Sequence, residues 1–420
     1  MKTTHILIFI GCIFLMVSCS KKGQTVTIIY PTVIDTMPLP NTVVKTDTLN
    51  VMAYNVLNYG DQCQGTLATS DGYLRTIIQY AQPDLLSCEK MYVFPYAPGI
   101  AGNLADEITD SVLNNVFPGR YGYATTSNSS GGSTMSVLFY NKQKLTYVKT
   151  ETLVSYITDF NLYKLYYNDV NLSITHDTTF LYVMVNHTKS GSPSSSRDQQ
   201  VSQEMTKLRS KFLYFPNLID LGDFNTTGST EVGYQSVITS ADSTTMMYDP
   251  PYSPDSVLHY PGYWDASPNS TPSYLTTSTR ASATIPNACG TSGGAKGWYD
   301  HIFISPWIVK GTNFVKYIPG SYKTIGNDGN RVGIDINDST SVANTAAPDS
   351  VIEALYSYIR EEVLLLLIDR CNYLRTYRSQ KGERFIDRIS APVIHKALCC
   401  YRRCVTFLYK DLSHYFKLMR

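Results

Sequence analysis

The chain has 420 residues and a net charge of +1, a balance that by itself selects no class of substrate. The charge is unevenly placed: residues 1–358 hold 22 basic and 28 acidic side chains, and residues 359–420 hold 13 basic and 6 acidic. A mildly acidic body excludes the broad basic footprint that dominates non-specific nucleic-acid binding, so a phosphate-bearing substrate would be held by a local site and a metal.

Lys2 is followed by an apolar run from Ile6 to Val17 and then by Met16-Val17-Ser18-Cys19. The run is too short for a comfortable transmembrane helix and has the proportions of a signal peptide. It resembles a bacterial lipoprotein signal with its lipobox. That implies a leader over 1–19, lipidation of Cys19, a membrane anchor, and a place at the cell envelope; a plain secretory signal or an uncleaved anchor is the alternative. Residues 20–47, rich in Thr, Pro and Val, read as a tether. About 400 residues then remain, enough for one large α/β domain or two ordinary ones.

Thr48 to Tyr54 reads as a strand with Asn55 at its tip, after which Asn55 to Gly60 turns out of the sheet. Helical spacing of Leu74, Ile77 and Ile78 predicts a helix over Tyr73 to Tyr80, ended by Gln82-Pro83. An apolar strand over Pro83 to Glu89 delivers one carboxylate at its end. Asn103 to Val116 reads as helix, Ser127 to Ser133 as a Gly/Ser loop, and Met135–Tyr140 with Leu145–Val148 as a hairpin across Asn141-Lys142. Strand character follows over Leu162 to Ile174, and Phe180 to Val185 closes with Asn186-His187-Thr188-Lys189. Arg197 to Leu213 reads as helix and leads into Leu218-Ile219-Asp220-Leu221-Gly222-Asp223-Phe224-Asn225. Thr226 to Lys296, rich in Ser, Thr, Pro, Tyr and Asp, reads as a loop-rich insertion and a substrate-facing rim. Trp298 to Ser305 begins a strand with Asp300-His301, and Phe314 to Ile318 is the last clear strand before the turn at 326–330.

Asp223 and Asn225 are spaced i and i+2, which sends both side chains to one face of a strand end. A carboxylate there offers a hard oxygen to Mg²⁺ or polarises a water, and an amide donates to a phosphoryl oxygen without adding repulsive charge. Asn55, Glu89, His187 and Asp300 stand at similar strand ends. Taken alone, each has an ordinary alternative as a turn former or a solvated tip. Together, five polar strand ends in an alternation of strands and helices argue for an α/β domain whose tips converge on one edge.

The order Asn55, Glu89, His187, Asp223 with Asn225, and Asp300 resembles the endonuclease/exonuclease/phosphatase superfamily of metal-dependent phosphodiesterases, over residues 48 to about 350. The resemblance rests most on Gly222-Asp223-Phe224-Asn225, Pro83 to Glu89 and Val185 to Ser190. It implies a four-layer α/β/β/α sandwich with the site at the sheets' shared edge. It further implies that Asn55 and Glu89 hold Mg²⁺ or Mn²⁺, that Asp223 orients or activates the attacking water, and that Asn225 binds a phosphate oxygen. His187 would stabilise developing charge or protonate the leaving oxygen. Asp300 would orient a general-base histidine from a closing Ser-Asp-His-x-Pro motif.

That closing motif is absent, since no Asp-His pair occurs after His301. The chain instead changes at Tyr358 from Ser/Thr/Asp-rich to Arg/Cys/Leu-rich, which bounds the domain at 48–358 and leaves 359–420 as an atypical basic tail. A shifted reading frame near Tyr358 explains the change. A genuine basic extension, with Val351 to Arg370 drawn as an amphipathic helix, is the alternative. Of the nine cysteines, Cys63, Cys88 and Cys289 lie in the body with no framework spacing, and His395, Cys399, Cys400 and Cys404 lack the paired spacing of a zinc site. The function implied is metal-dependent hydrolysis of phosphodiesters, nucleic acid first. A phospholipid or other phosphate ester, or a non-catalytic binding module of the same fold, are the alternatives.

Overall fold

Leu49, Val51 and Ala53 alternate with Met52, Tyr54 and Val56, and the two sets enter two different apolar cores on opposite faces of one strand. That strand organises the fold. In this computed structural model the described residues are 48–370 apart from 62–64, 96–97, 170–171, 173–177, 251–261, 266–270, 283–290, 341 and 359–362. Cys19, the tether, Cys63, Cys289 and the cluster from His395 to Cys404 lie outside them. Among the described residues, no helix is long and apolar enough to cross a membrane.

The elements run β1 (Thr48–Tyr59), α1 (Leu67–Ala81), β2 (Leu85–Tyr92), α2 (Leu104–Glu107), a π-helical turn (Ile108–Leu113), α3 (Asn114–Val116), β3 (Tyr121–Tyr123) and β4 (Thr134–Asn141). Next come β5 (Leu145–Tyr156), β6 (Thr158–Tyr167), β7 (Phe180–His187), α4 (Ser195–Lys211), β8 (Leu218–Asp223), α5 (Val232–Ile238) and β9 (Asp300–Ile304). Last are α6 (Pro306–Lys310), β10 (Val315–Tyr317), β11 (Lys323–Ile325), α7 (Asp349–Tyr358) and β12 (Val363–Arg370).

One sheet has seven strands in the order β10-β12-β1-β2-β4-β3, with β11 also on β12, and the other has five in the order β5-β6-β7-β8-β9. Leu49, Val51, Leu85 and Leu138 of the first share a core with Val183, Val185, Ile219 and Leu221 of the second. The first sheet's other face, with Met52, Leu86 and Phe139, buries Leu74, Ile77 and Ile78 of α1 and Ile352 and Leu355 of α7. Each such side chain contributes roughly 1.5–3 kcal/mol by leaving water. On the far side of the second sheet, α4 and α5 pack on each other and supply Val201, Met205, Leu208, Tyr234 and Val237 to the core. The fold is therefore the four-layer α/β/β/α sandwich.

The structure corrects several local expectations. β1 does not turn out of its sheet after Asn55: a bulge with Leu57 at φ 38° and Asn58 at φ 59° intervenes, and pairing resumes at Tyr59↔Met91. The helix expected from Tyr73 starts at Leu67, where the Thr66 hydroxyl accepts from the Thr69 N–H, and it ends at Gln82 in the left-handed conformation. β4 and β5 are not a hairpin. β4 pairs β2 and β3 in one sheet, whereas β5 pairs β6 in the other. The chain changes sheets at Asn141–Lys144, where the buried Asp84 carboxylate takes hydrogen bonds from Asn141 Nδ2 at 2.7 Å and Lys144 Nζ at 2.9 Å.

The insertion after Thr226 is less of a rim than its composition suggests, because it contributes α5 and buries Trp264, Thr276 and Thr279. Nor is Val351 to Arg370 one helix: α7 ends at Tyr358, and Val363–Arg370 is a strand. β12 pairs antiparallel to β1 with Val51 opposite Leu366, and to β10 with Tyr317 opposite Ile368. Leu366 and Ile368 are fully buried, so sheet pairing continues beyond the change of composition at Tyr358.

Candidate active site

Strand directions gather the polar tips. β1 and β2 are parallel with Asn55 opposite Glu89, β7 and β8 are parallel with His187 opposite Asp223, and β9 runs antiparallel to β8 so that its first residue, Asp300, faces Asp223. The sheets meet at this edge, where Asn55 Nδ2 donates across them to Asp223 Oδ2 at 2.9 Å. All six residues singled out from the sequence thus lie in one neighbourhood, and all six are buried.

Local backbone chemistry sets their directions. The β1–β2 register shifts just after Asn55, and the β2–β4 register shifts after Cys88, with Lys90 at φ 58°; bulges of this kind re-aim side chains at a strand's end. The Leu57 N–H donates to Asn55 Oδ1 at 3.0 Å, fixing the amide so that its nitrogen faces Asp223. On β8, Gly222 has φ +139°, and a Cβ there would lie 2.0 Å from the carbonyl oxygen of Asn186, so only glycine lets β8 approach β7 this closely. Asn225 occupies the left-handed region at φ 49°, which its short amide tolerates. Its N–H donates to Asp223 Oδ1 at 2.9 Å, and its Nδ2 donates to the Thr188 carbonyl at 3.2 Å. His187 Nε2 stands 3.5 Å from Asp223 Oδ2.

Burial dominates the electrostatics. It pushes the Asp223 carboxyl up to about 6, with the Asn225 N–H, the Lys90 ammonium and the Asn55 amide pulling the other way. Burial also pushes Glu89 up to about 8, where Ser87 offsets part of the rise and the charge of Asp223 adds to it. His187 is pushed down to about 3 by burial and by Lys90 and Lys189, so it is a neutral imidazole near pH 7.

Glu89 is fully buried, and neither of its carboxylate oxygens has a hydrogen-bond partner of normal geometry. A buried carboxylate left in that condition is costly unless a cation completes it. With the Asn55 side-chain oxygen on the neighbouring strand, the donor set is hard oxygen, which suits Mg²⁺ or Mn²⁺. Among the described residues, no group of three or more His, Cys, Asp and Glu side chains is placed to hold a metal ion. The set fits a cation that keeps most of its shell for water and substrate, as Mg²⁺ does.

The neighbouring His301 is not part of this site. Its Nδ1 lies 3.1 Å from Asp249 Oδ2 and its Nε2 3.1 Å from the Trp298 carbonyl, inside a shell that includes Phe303 and Trp264. Cys88, beside Glu89, is a free buried thiol. Sequence reasoning passed over Lys90, although a lysine directly after a strand-end glutamate was the available signal.

No family model and no curated protein matches the chain. Solved structures with a similar fold include zebrafish (D. rerio) TDP2 complexed with a single-strand DNA product, at 13% identity and TM-score 0.47, covering 76% of this chain and 99% of that one. The human nocturnin catalytic domain with bound sulfate is similar at 14% identity and TM-score 0.45, covering 78% and 97%. An endonuclease/exonuclease/phosphatase family protein from Bacteroides thetaiotaomicron is similar at 12% identity and TM-score 0.43, covering 78% and 99%. At this level they are likenesses of form that assign no residue and no substrate.

Proposed function

We propose that this chain is a divalent-cation-dependent phosphodiesterase of the endonuclease/exonuclease/phosphatase type, that it cuts nucleic acid, and that a lipid anchor on Cys19 holds it at the cell envelope. The observation that carries the reading is the Asn55–Asp223 hydrogen bond across the sheet edge at 2.9 Å, with the buried Glu89, whose carboxylate oxygens lack hydrogen-bond partners of normal geometry, on the strand beside Asn55. Glu89 and the Asn55 oxygen would hold Mg²⁺ or Mn²⁺, which when bound supplies charge neutralisation at a phosphoryl oxygen.

The side chains divide the remaining work. Asp223 accepts the proton of the attacking water; a carboxylate raised to about 6 is still ionised at neutral pH and is a stronger base than an exposed one. Asn225 has a second amide N–H beyond the one given to Thr188, and that N–H suits a phosphoryl oxygen. His187, neutral, donates a hydrogen bond where charge develops on phosphate or leaving oxygen rather than delivering a proton. Because the sequence lacks an Asp-His pair after His301, the base is assigned to Asp223, and Asp300 is given no step.

Magnesium-dependent nicking of plasmid DNA tests the reading. The wild-type chain should nick, and Asp223→Ala or Asp223→Asn should lose on the order of 10²- to 10⁴-fold in rate while keeping the native circular dichroism spectrum. Cation binding without turnover of DNA, RNA or phospholipid would make this a binding module, and turnover of phospholipid alone would move the substrate class. Cys19→Ser should shift the protein out of the membrane fraction; an unchanged distribution would remove the lipid anchor from the reading.

A further inference from the structure

A cleft of about 190 Å³ opens beside His187, between the ends of β2 and β7, and Lys90, Gly132, Thr134, Thr158 and Lys189 are among the residues that line it. Two lysines, several hydroxyls and the imidazole of His187 form its walls, and none of its lining residues is acidic. The protein's body is otherwise acidic, so this is a local reversal of sign. Lys90 departs from the strand line at the bulge, with φ 58°, and its charge is felt at both His187 and Asp223.

The cleft is built rather than incidental. Thr158 Oγ1 donates to the His187 carbonyl at 2.6 Å, and Gln200 donates from Nε2 to the Tyr156 carbonyl at 2.6 Å while accepting the Lys189 N–H at 2.8 Å. These bonds lock the β5–β6 turn and the end of β7 together. At that turn Ile157 has φ 69°, a conformation a β-branched residue adopts only where its surroundings enforce it. Gly132 lies against the same turn so closely that a Cβ would sit 2.7 Å from the Ile157 carbonyl oxygen. The volume is below the roughly 300–1,000 Å³ of drug-sized sites, which suits one phosphate group and not a nucleobase with its sugar.

We infer that this cleft is a subsite for a second phosphate of a polynucleotide strand, next to the phosphodiester presented to Asp223, and that Lys90 and Lys189 hold it. The inference rests on the phosphodiesterase reading for its meaning and sharpens it: a strand with neighbouring phosphates fills both positions, whereas a lone diester such as a phospholipid fills one.

Two measurements on the full chain test it. Fluorescence anisotropy of a labelled single-stranded oligonucleotide, in EDTA and over ~50 to ~200 mM salt, reads the phosphates neutralised as a slope of about 0.7 each. The Lys90→Ala/Lys189→Ala variant should bind more weakly and flatten that slope by about 0.7, whereas Lys149→Ala, a lysine whose side chain is 61% exposed on β5, should leave it unchanged. With Mg²⁺ present, the double variant should lose at least tenfold more kcat/KM on the oligonucleotide than on bis(p-nitrophenyl) phosphate, chiefly through KM. Unchanged slope and affinity in the folded double variant, or equal losses on both substrates, overturn the subsite. If the wild type hydrolyses neither substrate, the phosphodiesterase reading falls, and the salt slope still decides whether the cleft takes a backbone phosphate.

Discussion

Replacing Glu89 with Gln separates the cost of the buried carboxylate from its use. In the unfolded chain this group titrates at its ordinary value of 4.5, and in the folded, cation-free protein at about 8. Below the lower value both states hold the proton and the group is neutral toward stability. Between the two, the unfolded chain gives up the proton and the folded chain keeps it, so stability falls as pH rises through this window and levels off above it. At about 1.36 kcal/mol per pH unit, the cost at pH 7 is on the order of 3 kcal/mol. Glu89→Gln removes it. In EDTA at pH 7 the variant should therefore melt roughly 6 °C higher than the wild type, taking about 2 °C per kcal/mol for a large domain, and its melting temperature should vary less between pH 5 and pH 8.

Magnesium should reverse the order. A cation at a thousand times its Kd adds about 4.1 kcal/mol to whichever protein binds it, more than the roughly 3 kcal/mol cost of the buried charge, and the variant has lost the carboxylate that binds. Differential scanning fluorimetry over this pH range, with EDTA and with Mg²⁺, reads all four cases. A wild type and variant with the same pH dependence in EDTA would show that Glu89 is not the buried titrating group. An equal rise of both in Mg²⁺ would show that the cation does not sit on Glu89.

Other perturbations test the frame around the site. Leu366→Ala removes a fully buried side chain from the sheet position opposite Val51 and should cost about 2–5 kcal/mol in urea denaturation; no measurable loss would mean that β12 is not part of the folded core. Gly222→Ala forces a Cβ toward the Asn186 carbonyl oxygen, 2.0 Å away, at φ +139°, and should destabilise by roughly 3 kcal/mol or more. A stable Gly222→Ala protein with unchanged activity would contradict the close crossing of β7 and β8 that brings His187 beside Asp223.

What was legible in the sequence was local. Asp223 and Asn225 form a turn closed on itself, with the Asn225 N–H on Asp223 Oδ1, and such turns are written in adjacent residues. The apolar runs ending at Glu89 and His187 likewise announce strands and their tips. Pairing partners were not legible, because alternation says that Leu145 to Val148 is strand without saying which sheet receives it. The switch at Asn141–Lys144 depends on Asp84, far away in sequence. Likewise, Val363 to Leu367 is a short apolar run that fits helix or strand by periodicity alone, and it is β1 and β11 on either side that select the strand. The insertion looked like a rim because composition counts aromatics without locating them. Trp264 is in fact packed against His301.

The position of β12 bears directly on the choice of base. It runs antiparallel to β1, and its described pairing reaches Ala53↔Leu364, two residues short of Asn55 along β1. The sequence leading into that end is Ile359-Arg360-Glu361-Glu362, with no histidine in it. The one histidine beside β8 on β9, His301, has both ring nitrogens committed within the core, to Asp249 and to the Trp298 carbonyl. His187 is held neutral, but it also stands 3.5 Å from Asp223, and its low affinity for a proton makes it a poorer acceptor than the carboxylate raised to about 6 beside it. Among the histidines of the described residues, neither His187 nor His301 is placed to take the proton in its stead, which supports the proposed assignment of proton abstraction to Asp223. At saturating Mg²⁺, where the cation holds Glu89 ionised, the rate of such an enzyme should fall on the acidic side through a single ionisation, that of Asp223.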